Sequence, residues 1–261
     1  MKQKFFFFDI DNTLAAWPDG CIPDSTMDTL RRLEKAGHRV ALATGRLQAD
    51  AKRFAIMAEL GDFVADGGRS MTAENEIVYM EGMDREMCLA YLAQLDAKGL
   101  HWAVTDTNEL RRVTPYEDVL NWHPSWDVFT TVHQADYDYR RTEQFYKIYA
   151  FMTPEEETQS GVVHMTTDLI RYGENCILFE PMEKARGVRA MLAHYGMEDT
   201  AAVVFGDGYN DLSMFSPTWL NIAMGNGRPE LKAAADYVTD DCYHDGIYNA
   251  CKAFGKKKKM S

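Results

Sequence analysis

The first apolar segment of the chain restricts its fold more than any other sequence feature. Residues 5–10 form an apolar segment, continuous over Phe5–Phe8, that ends in the pattern Asp-x-Asp, with Asp9 and Asp11 as the two carboxylates. A run without alternating polar positions is typical of a strand buried on both faces, as in the parallel sheet of an α/β protein. We therefore expect a sheet that is covered by helices on both sides.

The segments that follow alternate between helix and strand. Helices are predicted over residues 25–36 and 47–60, each of which stops at a glycine, and short buried strands over residues 40–43 and 63–65. Near the C-terminus the alternation returns as a helix over 186–195, a strand over 201–205, a helix beginning near 210 and a strand over 221–224. This order predicts an α/β fold with a doubly wound, mostly parallel, Rossmann-like sheet.

Between about residues 82 and 181 the character of the sequence changes. This stretch holds three of the five tryptophans and mixes strand-like with helical segments. We interpret residues 82–181 as a separate α+β domain that is inserted into a core domain formed by residues 1–81 and 182–261. A chain of 261 residues is long enough for this arrangement without metal or disulfide support.

The composition excludes several classes of protein. The net charge is −12 and the only basic cluster is Lys256–Lys259, which argues against nucleic-acid binding. Five cysteines without a CxxC pair indicate buried thiols in a reducing compartment, and the apolar run is too short for an export signal or a membrane span. We expect a soluble, cytoplasmic protein without a nucleic-acid or membrane partner, whose oligomeric state the sequence leaves open.

Two pairs of carboxylates follow two of the predicted strands. Asp9 and Asp11 start on the same side of the first strand, because side chains alternate along a strand. Asp207 and Asp211 stand in a glycine-containing turn after the strand over 201–205. Asp also occurs at strand ends as a turn residue, but two pairs at two strand ends favour a ligand site.

Converging carboxylates require a compensating cation. Two like charges 4 Å apart repel each other by about 4 kcal/mol even at an effective dielectric constant of 20. A site of oxygen ligands without His or Cys favours a hard ion, so the sequence predicts Mg²⁺ in preference to Zn²⁺.

Two further segments carry groups that suit a phosphoryl group. Thr44, Gly45 and Arg46 follow the strand over 40–43 and offer a hydroxyl, an open backbone and a cation, although the hydroxyl could equally cap the next helix. Lys184 precedes the helix over 186–195, in a place where most lysines are solvated. Taken with the acids and a metal ion, these groups are the equipment for phosphoryl transfer.

In their order along the chain these four segments resemble the motifs of the haloacid dehalogenase (HAD) superfamily. The matching stretches are DIDNT (9–13), ATGR (43–46), KARGV (184–188) and GDGYND (206–211). The TGR and GDGxND variants, and the insertion between the second and third motifs, are similar to its Cof-type phosphatase branch with a type IIB cap. The resemblance therefore implies that the inserted domain is a cap.

The resemblance also implies a role for each matching residue. Asp9 would be the nucleophile that becomes the aspartyl-phosphate, and Asp11 would protonate the leaving oxygen and then activate the hydrolytic water. The magnesium ligands would be Asp9, Asp207 and the backbone carbonyl of Asp11, while Asp211 would hold a metal-bound water or orient Lys184. The implied phosphate-binding residues are Thr44, Gly45, Lys184 and Asn210.

Three positions depart from the usual pattern of the family. Asn12 stands where the first motif more commonly has Gly, and Gly67 stands where this branch usually has Asn. The alignment of Lys184 requires K-x-x-G-V in place of K-G, with Arg186 as the alternative. Neither Asn12 nor Gly67 removes a catalytic group, but both bear on the shape of the phosphate loop and of the rim that would face the cap.

The resemblance implies a Mg²⁺-dependent phosphatase that acts on a small phosphorylated metabolite, such as a sugar phosphate, through an aspartyl-phosphate. The inserted domain would exclude water and select the leaving group. Two alternatives stay open: a phosphomutase of the same superfamily, which would need a bisphosphate activator, and a phospho-acceptor binding module. Dehalogenase chemistry is disfavoured because it has no use for the acid at Asp11.

Overall fold

The computed structural model describes residues 2–16, 20–122, 124–164 and 168–257. It divides the chain into two compact units, of which the first comprises Met1–Met80 and Met182–Ser261 and the second Glu81–Pro181. The side chains of the basic cluster Lys256–Lys259 lie outside the described residues. Among the helices of the described ranges, none has the length and apolar character needed to cross a bilayer.

Fourteen strands and seven α-helices make up the described chain. In chain order the strands are β1 (Phe5–Phe8), β2 (Arg39–Ala43), β3 (Phe63–Ala65), β4 (Ser70–Ala73), β5 (Glu76–Met80), β6 (His101–Thr105), β7 (Arg111–Thr114), β8 (Thr130–His133), β9 (Lys147–Phe151), β10 (Leu169–Arg171), β11 (Cys176–Phe179), β12 (Ala202–Gly206), β13 (Leu220–Ala223) and β14 (Tyr237–Val238). The α-helices are α1 (Asp24–Lys35), α2 (Gln48–Met57), α3 (Arg85–Ala97), α4 (Pro154–Ser160), α5 (Lys184–His194), α6 (Pro229–Ala234) and α7 (Gly246–Lys257).

The first unit contains an eight-stranded sheet in the order β14-β13-β12-β1-β2-β3-β4-β5. The strands from β14 to β3 run parallel to one another, whereas β4 runs antiparallel to β3 and β5 runs antiparallel to β4. The chain runs outward from β1 through β2 to β3, and then returns to the other side of β1 with β12. The predicted doubly wound, mostly parallel sheet is confirmed, and its order reverses between β1 and β12, where open α/β sheets bind ligands.

The phenylalanines of β1 are buried on both faces of this sheet. Phe5 and Phe7 pack in a cluster with Val188 of α5, whereas Phe8 packs in another cluster with Leu30 of α1 and Phe54 of α2. Each buried phenylalanine stabilises the fold by about 1.5–3 kcal/mol. The unbroken apolar run thus reflects a central strand that has a helical layer on each side.

The second unit is built on a six-stranded sheet in the order β10-β11-β9-β6-β7-β8. All its strand pairs are antiparallel except β7 with β8. Trp102 of β6 is buried in its core together with Tyr91 of α3 and Phe179 of β11. The mixture of helices and antiparallel strands agrees with the α+β character expected from the sequence.

One predicted element differs in kind. The helix expected to begin near residue 210 is a short 3₁₀ helix, Tyr209–Met214, and not an α-helix. It begins in the glycine-containing turn after β12, where the side chain of Asp211 binds the backbone of the turn and so favours a tight local structure.

Candidate active site

Asp9 lies immediately after β1, at the edge of the sheet where the strand order reverses. Its backbone N–H donates to the carbonyl of Phe205 on β12 at 3.0 Å, which continues the pairing of these two strands. Its side chain is buried, and its Oδ1 accepts a hydrogen bond from Nζ of Lys184 at 2.7 Å. The centre of the sheet therefore presents a buried carboxylate that is paired with a buried ammonium group.

Lys184 is the first residue of α5, and its ammonium group lies between two carboxylates. Besides Asp9, it donates to Oδ1 of Asp211 at 2.6 Å. Its side chain is 1% exposed, and the two acids hold its pKa above the ordinary value in spite of burial, which acts in the opposite direction. The neighbouring Arg186 lies over the ring of Tyr79, so it is Lys184 that the structure brings to Asp9.

Two glycines allow α5 to approach the sheet closely enough for this contact. A Cβ atom on Gly187 would collide with the side chain of Val64 and would lie 2.9 Å from Cα of Gly68. Gly68 itself has a φ of 104°, and a side chain there would collide with the carbonyl of Glu183. The K-x-x-G spacing thus has a physical reason, because the glycine one turn after Lys184 lets the helix start against β3.

We expect Gly187→Ala to destabilise the fold by about 1–3 kcal/mol, because the added methyl group overlaps packed atoms. The free energy of unfolding in urea would measure this loss. Ala at the preceding position, in Arg186→Ala, should change it by less than about 0.5 kcal/mol, because that side chain is exposed enough to be replaced without a clash. Equal stability of the Gly187→Ala variant and the unsubstituted protein would contradict the close approach.

Asp211 organises the turn after β12. Its Oδ2 accepts hydrogen bonds from the backbone N–H groups of Asp207 at 2.8 Å and Gly208 at 2.9 Å. A Cβ atom on Gly206 would lie 2.6 Å from Cβ of Asp211, so only glycine fits there. Asp211 is fully buried and binds Lys184 through its other oxygen, which fixes the ammonium group and the turn together.

Asp207 completes a cluster of three carboxylates. Oxygens of Asp9, Asp207 and Asp211 all lie within 4.8 Å of one another, and Thr13 donates to Oδ1 of Asp207 at 3.3 Å. Burial and the charge of Asp211 raise the pKa of Asp207 to about 7, and the same two causes raise the pKa of Asp9 well above its ordinary value. Lys184 therefore compensates only part of the negative charge, and an oxygen-only set of this kind fits a hard divalent cation.

Asp11 lies outside this cluster, because the chain leaves the strand geometry after Phe8. Its carboxylate faces Arg46, whose Nε donates to one oxygen at 2.9 Å and whose Nη2 donates to the other at 2.7 Å. Arg46 also binds Asp50 of α2. Sequence reasoning missed this chain of ion pairs, although Arg46 stands directly before the helix predicted over 47–60 and four residues before Asp50, a spacing that was a signal for the second contact.

The remaining predicted residues lie around the same edge of the sheet. Thr44 is buried after β2, and its hydroxyl oxygen accepts from the backbone N–H of Arg46 at 3.1 Å, so it shapes the Gly45 turn before α2. Asn210 is half-buried at the start of the 3₁₀ helix, with its side-chain oxygen close to Gly208. The expected phosphate-binding groups thus come from the ends of β2 and β12 and the start of α5.

Asn12 and Gly67, which depart from the family pattern, both have a left-handed backbone conformation. Asn12 has a φ of 57°, a left-handed conformation that Gly adopts freely and that Asn tolerates better than most residues. Its carbonyl accepts from the side chain of Asn226 at 2.9 Å, which holds the loop. Gly67 also has a left-handed φ, of 58°, and follows the left-handed Asp66, which binds the backbone N–H of Gln48 at the start of α2.

Similarity to known proteins agrees with this geometry. Residues 6–251 match the family of haloacid dehalogenase-like hydrolases. A Bacillus subtilis protein named "Putative phosphatase YkrA" is 31% identical over 262 residues, which cover 99% of this chain and 100% of that protein. The solved structure of a hypothetical protein from Geobacillus kaustophilus covers 97% of this chain and 99% of its own at 27% identity, with a TM-score of 0.82. A solved HAD subclass IIB sugar phosphatase gives the same coverage at 26% identity, with a TM-score of 0.77.

The chain belongs to the haloacid dehalogenase-like hydrolases. Within that family it is an enzyme of the phosphatase type, similar to the Cof-type members and to subclass IIB structures. The predictions of the superfamily, of its fold and of a hydrolase are therefore confirmed.

Proposed function

We propose that this protein hydrolyses the phosphate monoester of a small metabolite through an aspartyl-phosphate on Asp9. The observation that carries the proposal is the buried carboxylate of Asp9, placed at the reversal point of the sheet and paired with Lys184 at 2.7 Å. A carboxylate can act as a nucleophile towards phosphorus when positive charge screens the phosphoryl oxygens. Lys184 supplies part of that charge, and its second bond to Asp211 keeps it in place.

We assign the remaining positive charge to Mg²⁺. Asp9 and Asp207 would hold the ion with the backbone carbonyl of Asp11, and Asp211 would support the site through the turn and Lys184. When bound, the ion offsets the negative charge of the carboxylates and of the phosphoryl group. The raised pKa values of Asp9 and Asp207 support this assignment, because they indicate negative charge that the described side chains leave uncompensated.

The proposed reaction has two steps. In the first, an oxygen of Asp9 forms a bond to phosphorus, the bond from phosphorus to the leaving oxygen breaks, and Asp11 gives its proton to that oxygen. In the second, Asp11 takes a proton from water as the water oxygen attacks the phosphorus of the aspartyl-phosphate. Inorganic phosphate leaves, and the carboxylate of Asp9 is restored. Thr44 and Asn210 would bind the phosphoryl oxygens together with Lys184 and the Gly45 backbone.

We further propose that the two units divide this work between a core and a cap. Every residue assigned to the chemistry belongs to the first unit, Met1–Met80 and Met182–Ser261, which supports the predicted catalytic core of residues 1–81 and 182–261 to within one residue. Residues 82–181 would be the cap that selects the leaving group. The likeness to a subclass IIB sugar phosphatase supports a sugar phosphate as the substrate class.

A panel of phosphorylated metabolites tests this function. Phosphate release from sugar phosphates should require Mg²⁺, stop on addition of a chelator and return when Mg²⁺ is restored in excess. Isomerisation of a sugar phosphate that depends on a bisphosphate would indicate a phosphomutase instead. A phosphorylated protein that persists without releasing phosphate would indicate a binding module.

We expect Mg²⁺ to raise the melting temperature more at about pH 8 than at about pH 6. The pKa of Asp207 is raised to about 7 by burial and by Asp211. A raised carboxyl pKa stabilises the metal-free fold at low pH, and this contribution is lost as the pH rises through about 7. The ion competes with that proton, so its effect should be largest where the proton is absent. Melting curves with Mg²⁺ and with chelator would measure the difference, and an equal shift at both pH values would contradict it.

A further inference from the structure

The side chains of Asp11, Arg46 and Asp50 form a continuous chain of ion pairs beside the carboxylate cluster. From its geometry, and on the basis of the function proposed above, we infer that Arg46 is a positioning residue that holds Asp11 for proton transfer to the leaving group. Asp50 anchors Arg46 in turn. This role is distinct from binding the phosphoryl group. If Arg46 positions Asp11, its loss should lower kcat/KM only for substrates whose leaving group needs a proton, whereas loss of a phosphoryl-binding residue should lower kcat/KM for all substrates.

The contact between Arg46 and Asp11 fixes the whole plane of the carboxylate. Nε and Nη2 of the guanidinium bind the two oxygens of Asp11 separately, at 2.9 and 2.7 Å. A two-point contact of this kind sets orientation as well as distance, which a single ammonium group cannot do. Asp11 is 39% exposed and follows the end of β1 in a loop, so its side chain needs such support to keep one direction.

Arg46 is itself fixed from the interior of the protein. Its Nη1 donates to Asp50 at 2.5 Å, and exposure falls along the chain from 39% for Asp11 through 18% for Arg46 to 3% for Asp50. The guanidinium also lies 4.5 Å from the centre of the Phe54 ring. A buried carboxylate on α2 and an aromatic ring therefore hold the guanidinium so that its free edge points to Asp11.

The backbone of Arg46 is equally restrained. Its N–H donates to the hydroxyl of Thr44 at 3.1 Å, and its carbonyl accepts from the N–H of Asp66 at 2.8 Å. The second motif thus ties the phosphate-binding segment to the residue that supports the acid. This arrangement gives a physical reason for an arginine in the third position of T-G-R, because an apolar residue there would leave Asp11 without this cation and would break its link to Asp50.

The inferred role is tested on the proton of the first step, because kcat/KM reports the steps up to departure of the leaving group. The proton passes from the carboxyl group of Asp11 to the leaving oxygen as the bond from that oxygen to phosphorus breaks, and Arg46 neither gains nor loses a proton. A leaving group that departs as a stable anion needs no proton. A sugar alcohol needs one, because it is a much poorer leaving group. Loss of Arg46 should therefore slow only the reactions that depend on Asp11.

The test compares kcat/KM of an Arg46→Gln variant for two substrates. For a sugar phosphate we expect a loss of at least about tenfold, since a positioned general acid contributes about 10²–10⁴-fold. For 2,4-dinitrophenyl phosphate we expect a change of less than about twofold, because kcat/KM reports the steps up to departure of the leaving group. Arg46→Lys should recover part of the loss, because an ammonium group can bind one oxygen of Asp11 but not both.

Matched variants separate positioning from effects on folding. Arg53 binds the other oxygen of Asp50 at 3.0 Å, so Arg53→Gln removes a cation from the same carboxylate and should leave both substrates unaffected. Asp50→Asn keeps the guanidinium of Arg46 but weakens its anchor. It should lower kcat/KM for the sugar phosphate by less than Arg46→Gln does, and should leave kcat/KM for 2,4-dinitrophenyl phosphate nearly unchanged. In an Asp11→Asn background, Arg46→Gln should cause no further loss with the sugar phosphate.

Three results would overturn the inference. An equal loss with both substrates would assign Arg46 to the phosphoryl group or to the fold, the absence of any loss would leave it without a role, and a further tenfold loss in the Asp11→Asn background would separate it from Asp11. Failure of the proposed function would be seen in a different experiment, because turnover would then survive in the Asp9→Asn variant. The two failures are therefore distinguishable.

Discussion

An Asp9→Asn variant is expected to lose at least about 10³-fold in kcat for phosphate release while it keeps its fold. The side-chain amide of Asn is a poor nucleophile towards phosphorus, so the covalent route through residue 9 is closed. The fold should survive because the substitution removes a carboxylate whose pKa is raised by burial and by Asp211. Such a carboxylate, when ionised, destabilises the fold. The melting temperature of the metal-free variant should therefore equal or exceed that of the unsubstituted protein.

Asp62 provides the matched control for this substitution. It is also a buried aspartate of the first unit, and it accepts a hydrogen bond from the hydroxyl of Tyr195 at 2.8 Å. Because it precedes β3, it lies at the opposite edge of the parallel sheet from Asp9. Asp62→Asn should keep kcat within about twofold, although it removes a buried charge. A kcat of Asp9→Asn within about tenfold of the original value would contradict the covalent mechanism.

A Lys184→Met variant is expected to lose both activity and stability. The substitution leaves the buried carboxylates of Asp9 and Asp211 without their shared cation, and breaking a buried ion pair from one side costs about 3–5 kcal/mol. The loss should be larger at about pH 8 than at about pH 5. Without the ammonium group, which lowers the pKa of Asp9, the raised carboxyl pKa values rise further, and carboxylates with raised pKa values destabilise the fold as the pH increases.

Urea unfolding in the presence of a chelator would measure this loss, since Mg²⁺ would offset part of it. Arg186→Gln is the control, because Arg186 lies on the same helix and carries the same charge but has its guanidinium over the ring of Tyr79. It should keep both kcat and the free energy of unfolding nearly unchanged. A Lys184→Met protein as stable as the Arg186→Gln protein would show that the ammonium group does not compensate the two acids.

The fold of the first unit could be predicted because local pattern and tertiary structure agree there. The phenylalanine run is buried on both faces of β1, and the predicted β-α alternations became strands and helices, except that the helix expected near residue 210 is a 3₁₀ helix. The positions of the carboxylate pairs followed from the same logic, because parallel strands end at one edge of the sheet. Hydrophobic periodicity and the order of the segments along the chain were therefore sufficient to predict the parallel sheet of this unit.

The contacts within the site could be predicted only in part. The strand period placed Asp9 and Asp11 on one side, but β1 ends at Phe8, so the two carboxylates follow the loop and meet different partners, Lys184 and Arg46. Spacing along the sequence does not predict such long-range ion pairs, because they depend on how α5 and α2 pack against the sheet. The close approach of Gly68 and Gly187 belongs to the same class of information.

The roles of individual residues, the magnesium ion, the substrate and the cytoplasmic location stay predictions. They differ in how directly they depend on the geometry. The role of Asp9 follows from its burial, its place in the sheet and its contact with Lys184, whereas the sugar phosphate depends on likeness to a relative alone.

The most direct test of the central claim is to trap the phosphoryl group on Asp9. An Asp11→Asn variant should still transfer the phosphoryl group of 2,4-dinitrophenyl phosphate, which needs no proton, but should not activate water, so the aspartyl-phosphate should accumulate. Sodium borohydride reduces an acyl phosphate to an alcohol, and mass spectrometry of the peptide that contains residue 9 should then show homoserine in place of Asp9. An unmodified Asp9, or homoserine at Asp207 or Asp211 instead, would contradict the mechanism.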